Sequence, residues 1–167
     1  MPRLRTIPDA TIFAMILRLV REGGEKAVAF SSVSRKTGLA APSLVQRYGS
    51  LPGMVDAAYL WSWDQLDALA QTTIAGSGKD SKGAQTLLKS LLPEAATLAV
   101  LLSVSFRNTE MRERAARWRG QVEAALAARL GDAETAAMVF AAWQGQVLWE
   151  DSGGKGFKLK DLARKLT

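Results

Sequence analysis

The stretch SSVSRKTGLAAPSLVQRYGS, Ser31 to Ser50, decides the fold. It divides at Gly38-Leu39-Ala40 into two short helical pieces, about Ser31–Thr37 and Ala41–Tyr48. Two short helices joined by a tight turn with glycine at the corner form a helix-turn-helix. Gly38 suits the left-handed conformation that ends a first helix, because it has no Cβ to clash. Val33, Leu39, Leu44 and Tyr48 are spaced to pack the pair against Ile16 and Val20 of a preceding helix. The second piece then leaves Ala41, Pro42, Ser43, Gln46 and Arg47 outside. Small residues at its start permit close approach to a groove, and Gln and Arg can hydrogen-bond base edges or phosphates. A helical hairpin that merely packs is the alternative from this stretch alone.

Outward from it, apolar residues recur at helical spacing almost everywhere, without a sustained period of two, so the chain reads as all-α. The first helix is expected from about Pro8 to Glu22, with Ile12, Phe13, Ile16, Leu17 and Val20 inside and Gly23-Gly24 as the stop. A long helix follows from Ser50 or Leu51 to about Thr73, with Ser50 as N-cap. Ala75 to Ser81 reads as a flexible connection. Helices are then expected over Lys82–Leu92, Glu94–Ser105, Thr109–Leu130 and Asp132–Glu150, and a short basic one over Phe157–Leu166.

The 167 residues suit one or two compact domains. Neither cysteine nor histidine occurs, so thiolate and imidazole metal sites, disulfides, and Ser-His or Cys-His catalytic pairs are excluded. No cofactor is expected. Net charge is +6, and it is uneven. Residues 1–50 hold eight basic and three acidic side chains, whereas residues 51–167 hold 14 and 13. A basic head on a near-neutral body points to a polyanion contacted at one end. Gly76-Ser77-Gly78-Lys79-Asp80 lacks the Ser/Thr and the first glycine of a phosphate loop. Asp64 and Asp67 have no partner base and read as a solvated helix face. No catalytic constellation emerges, so the chain is not expected to be an enzyme. The uncharged apolar stretch Ala95 to Phe106 is well short of the roughly 20 residues of a spanning helix. A cytoplasmic protein without membrane contact is the expectation.

Residues 12–60 resemble the N-terminal domain of the tetracycline-repressor (TetR) family of transcriptional regulators. The likeness runs from the first helix through Gly24 and the helix-turn-helix to Tyr48-Gly49-Ser50. It is closest over Leu39 to Ser50, with a leucine-valine-glutamine-arginine-aromatic-glycine-serine run at Leu44–Ser50. Beyond it, only the helix layout and the Leu148-Trp149 step are similar. The resemblance implies a three-helix helix-turn-helix DNA-binding domain over residues 1–50 and a helical effector-binding and dimerisation domain over 51–167. Ala41–Tyr48 would be the recognition helix, with Ala41, Pro42, Ser43 and Gln46 toward the major groove and Arg47 at its edge or on the backbone. Arg3 and Arg5 would reach a phosphate or the minor groove, and Ser31, Tyr48 and Ser50 would add DNA contacts. The chain departs from the family's usual tyrosine at Val45, lysine at Leu51 and threonine at Ala29. The last loses a helix cap that Ser31 or Ser32 can take over.

In the C-terminal half, Met111, Ala115, Trp118, Val122 and Leu126 form one apolar stripe, and Ala136, Phe140, Trp143 and Val147 another. Ala137, Ala141, Ala142 and Gly145 leave a flank for a second backbone. The resemblance implies a homodimer through residues about 109–150, whose two recognition helices, about 34–36 Å apart, read a palindromic operator in double-stranded DNA. Trp61, Trp63, Leu102, Phe106, Met111, Trp118 and Trp143 are candidates to contact a small, apolar effector, with plain core as the alternative for each. The expected protein is a regulator, in the first instance a repressor, released by that effector. The competing expectation is a helical ligand- or partner-binding module that keeps the fold without binding DNA.

Overall fold

A computed structural model describes residues 7–149 together with Gly153 and Asp161. Arg3, Arg5 and all but Asp161 of the expected terminal helix lie outside the described residues. Those described form eight α-helices: α1 (Asp9–Gly23), α2 (Phe30–Thr37), α3 (Ala41–Tyr48), α4 (Leu51–Gly76), α5 (Ser81–Leu91), α6 (Ala95–Ser105), α7 (Thr109–Leu130) and α8 (Ala133–Trp149). Short 3-10 turns at Glu25–Ala27 and Leu92–Glu94 complete the described elements. The chain divides into two compact units, Met1–Asp64 and Gln65–Thr167, and the division falls within α4.

In the first unit, α1 turns Ile12, Phe13, Ile16, Leu19 and Val20 inward, while Leu17 is only half-buried. Val33 of α2 and Leu44 of α3 are fully buried, and Leu39 and Tyr48 are half-buried. Gly38 ends α2 at φ 75°, ψ 4°, the left-handed conformation expected at the corner, and its N–H donates to Ser34 O at 2.7 Å. Ala29 cannot cap α2, and neither Ser31 nor Ser32 replaces the cap: Ser32 supplies only the reciprocal half of a capping box, its Oγ accepting from the Ala29 N–H at 2.9 Å. That hydroxyl also lies 3.0 Å from Ala27 O and 2.9 Å from Ala29 O, its available acceptors.

The step from α3 into α4 is tighter. Gly49 has φ 76° and ψ −59°, and the Ser50 N–H donates to Tyr48 O at 2.9 Å. Such dihedrals with an i to i+2 bond make a γ-turn of the strained hand. Ser50 then caps α4, its Oγ accepting from the Gly53 N–H at 3.1 Å. A Cβ at Gly49 would meet no atom within 4 Å, so alanine there is penalised by the backbone alone. Gly49→Ala is expected to destabilise the protein by about 1–3 kcal/mol, read as a lower urea midpoint at unchanged slope.

The second unit packs α5, α6 and α8 around α7. Each of its capped helices starts on a side-chain acceptor. Asp80 accepts from Gly83 N–H at 2.7 Å, Asn108 from Met111 N–H at 3.2 Å, and Asp132 from Thr135 N–H at 2.6 Å. That last bond holds the Asp132 carboxyl below its ordinary range. The expected flexible connection at 75–81 is therefore partly structured: α4 continues through Gly76, and Asp80 initiates α5. Arg129, near the end of α7 and 9% exposed, closes the end of α4. Its guanidinium donates to Ile74 O at 2.7 Å, Ser77 Oγ at 2.8 Å and, within its own helix, Ala125 O at 2.8 Å.

Candidate nucleic-acid interface

The outer side of α3 is built by what its inner side needs. Leu44 fills the core of the first unit, and residues two positions before and after it on a 3.6-residue turn must point away. Pro42 and Gln46 therefore share one outward line, flanked by Ser43 and Arg47 on one side and Val45 on the other. All five are exposed, Val45 to 43%, and Ala41 is half-buried. Neither Ser43 nor Gln46 makes a side-chain hydrogen bond to a described residue, so the hydroxyl and the amide are available to an outside partner. Pro42 is accommodated in the first turn because an N–H there has no intrahelical acceptor. Ser31, at the start of α2, is exposed, as is Ser50, whose hydroxyl is already occupied as a cap. The cations Arg35 and Lys36 close α2 on the surface.

Arg47 and Tyr48 are less free than Gln46. The Arg47 Nε lies 2.9 Å from Asp9 Oδ1, and its Nη1 donates to Ile7 O at 3.1 Å. Tyr48 is half-buried with its ring 5.8 Å from that of Phe13, and its hydroxyl donates to the same Asp9 oxygen. Burial, and then that bond to Asp9, push the phenol well above the usual tyrosine range. Asp9 and the Ile7 carbonyl are thus site residues that sequence reasoning passed over. An acid in the first turn of a helix reads locally as a partner of the helix dipole. Its only other signal was the rarity of acids in residues 1–50.

The residues read as effector contacts are distributed over both units. In the first, Trp61 is half-buried with its ring 6.0 Å from Phe13, and Trp63 is fully buried. In the second, Met111, Trp118 and Trp143 are core side chains and Leu102 is half-buried. Trp118, Phe140 and Trp143 form a ladder of tilted rings with centroid separations of 6.0 and 5.8 Å. Trp118 Nε1 donates to Leu66 O at 3.3 Å, whereas Trp143 Nε1 is buried without a partner among the described residues. Phe106, expected inside, is 84% exposed. It follows the last turn of α6, where Arg112 donates to the Ser105 and Phe106 carbonyls, so the backbone is satisfied while the ring stays outside. Asp67, read as part of a solvated face, is half-buried with Arg114 Nη1 3.7 Å away.

The outer flanks of α7 and α8 expose Ala116, Gly120, Ala124 and Ala128 on one helix and Met138, Ala141 and Leu148 on the other. A Cβ at Gly120 or Gly145 would meet nothing within 4 Å. Among the described residues no single helix is long and apolar enough to cross a membrane.

No protein-family model matches the chain, and no curated protein does. Solved structures do match, over nearly the whole length. A candidate transcriptional regulator, SCO7518 from Streptomyces coelicolor A3(2), superposes with a TM-score of 0.70 at 17% identity, covering 94% of each chain. The multidrug-binding protein EbrR, in complex with proflavin, gives 0.62 at 21% identity over 95% of this chain and 96% of its own. A candidate regulator from Rhodococcus sp. RHA1 gives 0.63 at 17% identity over 94% and 91%. Identities this low speak to architecture, and on that architecture they agree: the chain has the all-α fold of TetR-like transcriptional regulators.

Proposed function

We propose that the chain is a non-enzymatic transcriptional regulator that binds operator DNA as a homodimer and leaves it when a small molecule binds. The observation that carries this reading is the outward line of α3, where Pro42, Ser43 and Gln46 are exposed and chemically unspent while Leu44 anchors the helix. In this reading α3 enters the major groove, Ser43 and Gln46 meet base edges, and Arg47 stands at the groove rim. Basic side chains supply a salt-sensitive affinity for phosphate. The unfilled flanks of α7 and α8 supply the self-contact that sets two copies of α3 against successive turns of the duplex. The likeness to EbrR, whose structure holds proflavin, supports a small aromatic effector. Trp118 and Trp143 are buried beside Phe140, so such a ligand reaches them only by parting the core helices, and the Trp143 N–H, without a partner among the described residues, favours a ligand carrying an acceptor. Such a ligand releases DNA only if it prefers the state in which the two heads are misplaced for the groove.

A second reading, a helical ligand- or partner-binding module that no longer uses DNA, is favoured by the Arg47 guanidinium, which is already engaged by Asp9 and Ile7. Leu51 points the same way, a half-buried apolar residue where the family's lysine would meet phosphate.

The test is a titration of the purified protein onto DNA flanking its own gene at two salt concentrations, followed by footprinting. The regulator reading expects a protected inverted repeat with half-site centres about one helical turn apart. Binding that is weak, uniform along the fragment and lost at the higher salt would favour the second reading.

A further inference from the structure

Asp9 occupies the first position of α1, and its carboxylate reaches the last turn of α3. One oxygen serves two residues there, the Arg47 guanidinium at 2.9 Å and the Tyr48 hydroxyl, while the Ile7 carbonyl takes a second guanidinium N–H. The Arg47 head also lies 5.8 Å from the centroid of the Tyr48 ring. Folding alone gives the Arg47 half of this arrangement little reason to exist. The Arg47 and Asp9 side chains keep 34% and 48% of their exposure, and an ion pair so wetted contributes little to stability. A carboxylate beside a surface destined for a polyanion, moreover, opposes binding.

Both features make sense if the carboxylate acts on the arginine. An arginine free to swing at a groove rim would clamp any phosphate within reach, adding affinity that does not depend on sequence. We propose that Asp9 is a positioning residue that holds the Arg47 guanidinium along the protein and off the phosphates, keeping sequence-independent affinity low so that Ser43 and Gln46 decide where the protein sits. This rests on the DNA-binding reading above. It also gives Tyr48 a role, since the shared oxygen ties the end of α3 to the start of α1 and fixes where the rim of the interface lies.

Asp9→Asn tests the idea with little disturbance, because the amide keeps an oxygen for the Tyr48 hydroxyl and loses only the charge that pairs with Arg47. A random-sequence duplex is titrated by fluorescence anisotropy between 50 and 200 mM salt. The variant is expected to bind more tightly than the parent and to gain about 1.8 in salt slope, about 0.9 for each of the two Arg47 side chains of the homodimer, so that its advantage grows about twelvefold from 200 to 50 mM. Its melting temperature should scarcely move. The same exchange in an Arg47→Ala background is expected to leave the slope alone. An equal steepening there would mean that the acid merely repels DNA, and would overturn the tether. Identical slopes for the parent and Asp9→Asn, with both binding, would sink this inference and leave the regulator reading standing. Failure of the parent to bind any duplex at 50 mM salt would remove both.

Discussion

Arg129→Ala is expected to lower the melting temperature by about 6–12 °C, the largest loss of stability among the substitutions considered. The guanidinium reaches three oxygens within 2.8 Å, at Ile74, Ser77 and Ala125. The Ile74 carbonyl is among the last of α4, where helical partners run out and the macrodipole is negative. Hydrogen bonds to a charged donor are worth about 1.5–3 kcal/mol each, so three bonds outweigh any single surface contact. Part of that gain is spent on drying the cation, including an Nε with no partner among the described residues. A net loss of about 3 kcal/mol remains, which for a chain of this length converts to the stated shift. Arg129→Lys should recover only part of it, since one ammonium cannot span both helix ends. Thermal denaturation of the three proteins decides the matter. Equal midpoints would mean that desolvation cancels the bonds and that the end of α4 needs no cover.

Arg129 also shows why some of the molecule was legible in the sequence and some was not. Helices whose ends are set locally were readable almost to the residue. Gly49 and Gly131 take positive φ and stop α3 and α7 where a Cβ would be strained, and Asn108 opens α7 with a side-chain acceptor. The end of α4 is set differently. It was expected near Thr73, where β-branched residues and a Gly/Ser run weaken helical propensity, yet it continues to Gly76. What covers its carbonyls is a cation 55 residues away, and no local pattern announces such a partner. The candidate interface divides along the same line. The outward set Pro42, Ser43 and Gln46 follows from helical periodicity around Leu44, which is a local property. The capture of Arg47 and Tyr48 by Asp9, 39 residues before the tyrosine, is tertiary and was not readable. Phe106 is exposed against expectation for a related reason, because periodicity counts a residue as inside even when it lies one step past the final turn.

Gln46→Ala should cost the proposed regulator roughly 30- to 10⁴-fold in affinity for its operator while leaving its stability within about 0.5 kcal/mol of the parent. The amide is exposed and makes no bond to a described residue, so the folded chain has nothing to lose with it. In a groove, one glutamine can donate to N7 and accept from N6–H of a single adenine, and each such pair discriminates by about 1–3 kcal/mol. A homodimer uses the contact twice, which doubles the energy and squares the ratio. Random-sequence DNA is held through phosphates that Gln46 does not touch, so affinity for it should stay constant, and the loss should appear as a collapse of the specificity ratio. Competition of labelled operator against unlabelled random duplex measures that ratio directly. A parallel loss on both DNAs would place Gln46 on the backbone instead of the bases. No loss on either would take α3 out of the groove, and with it the regulator itself.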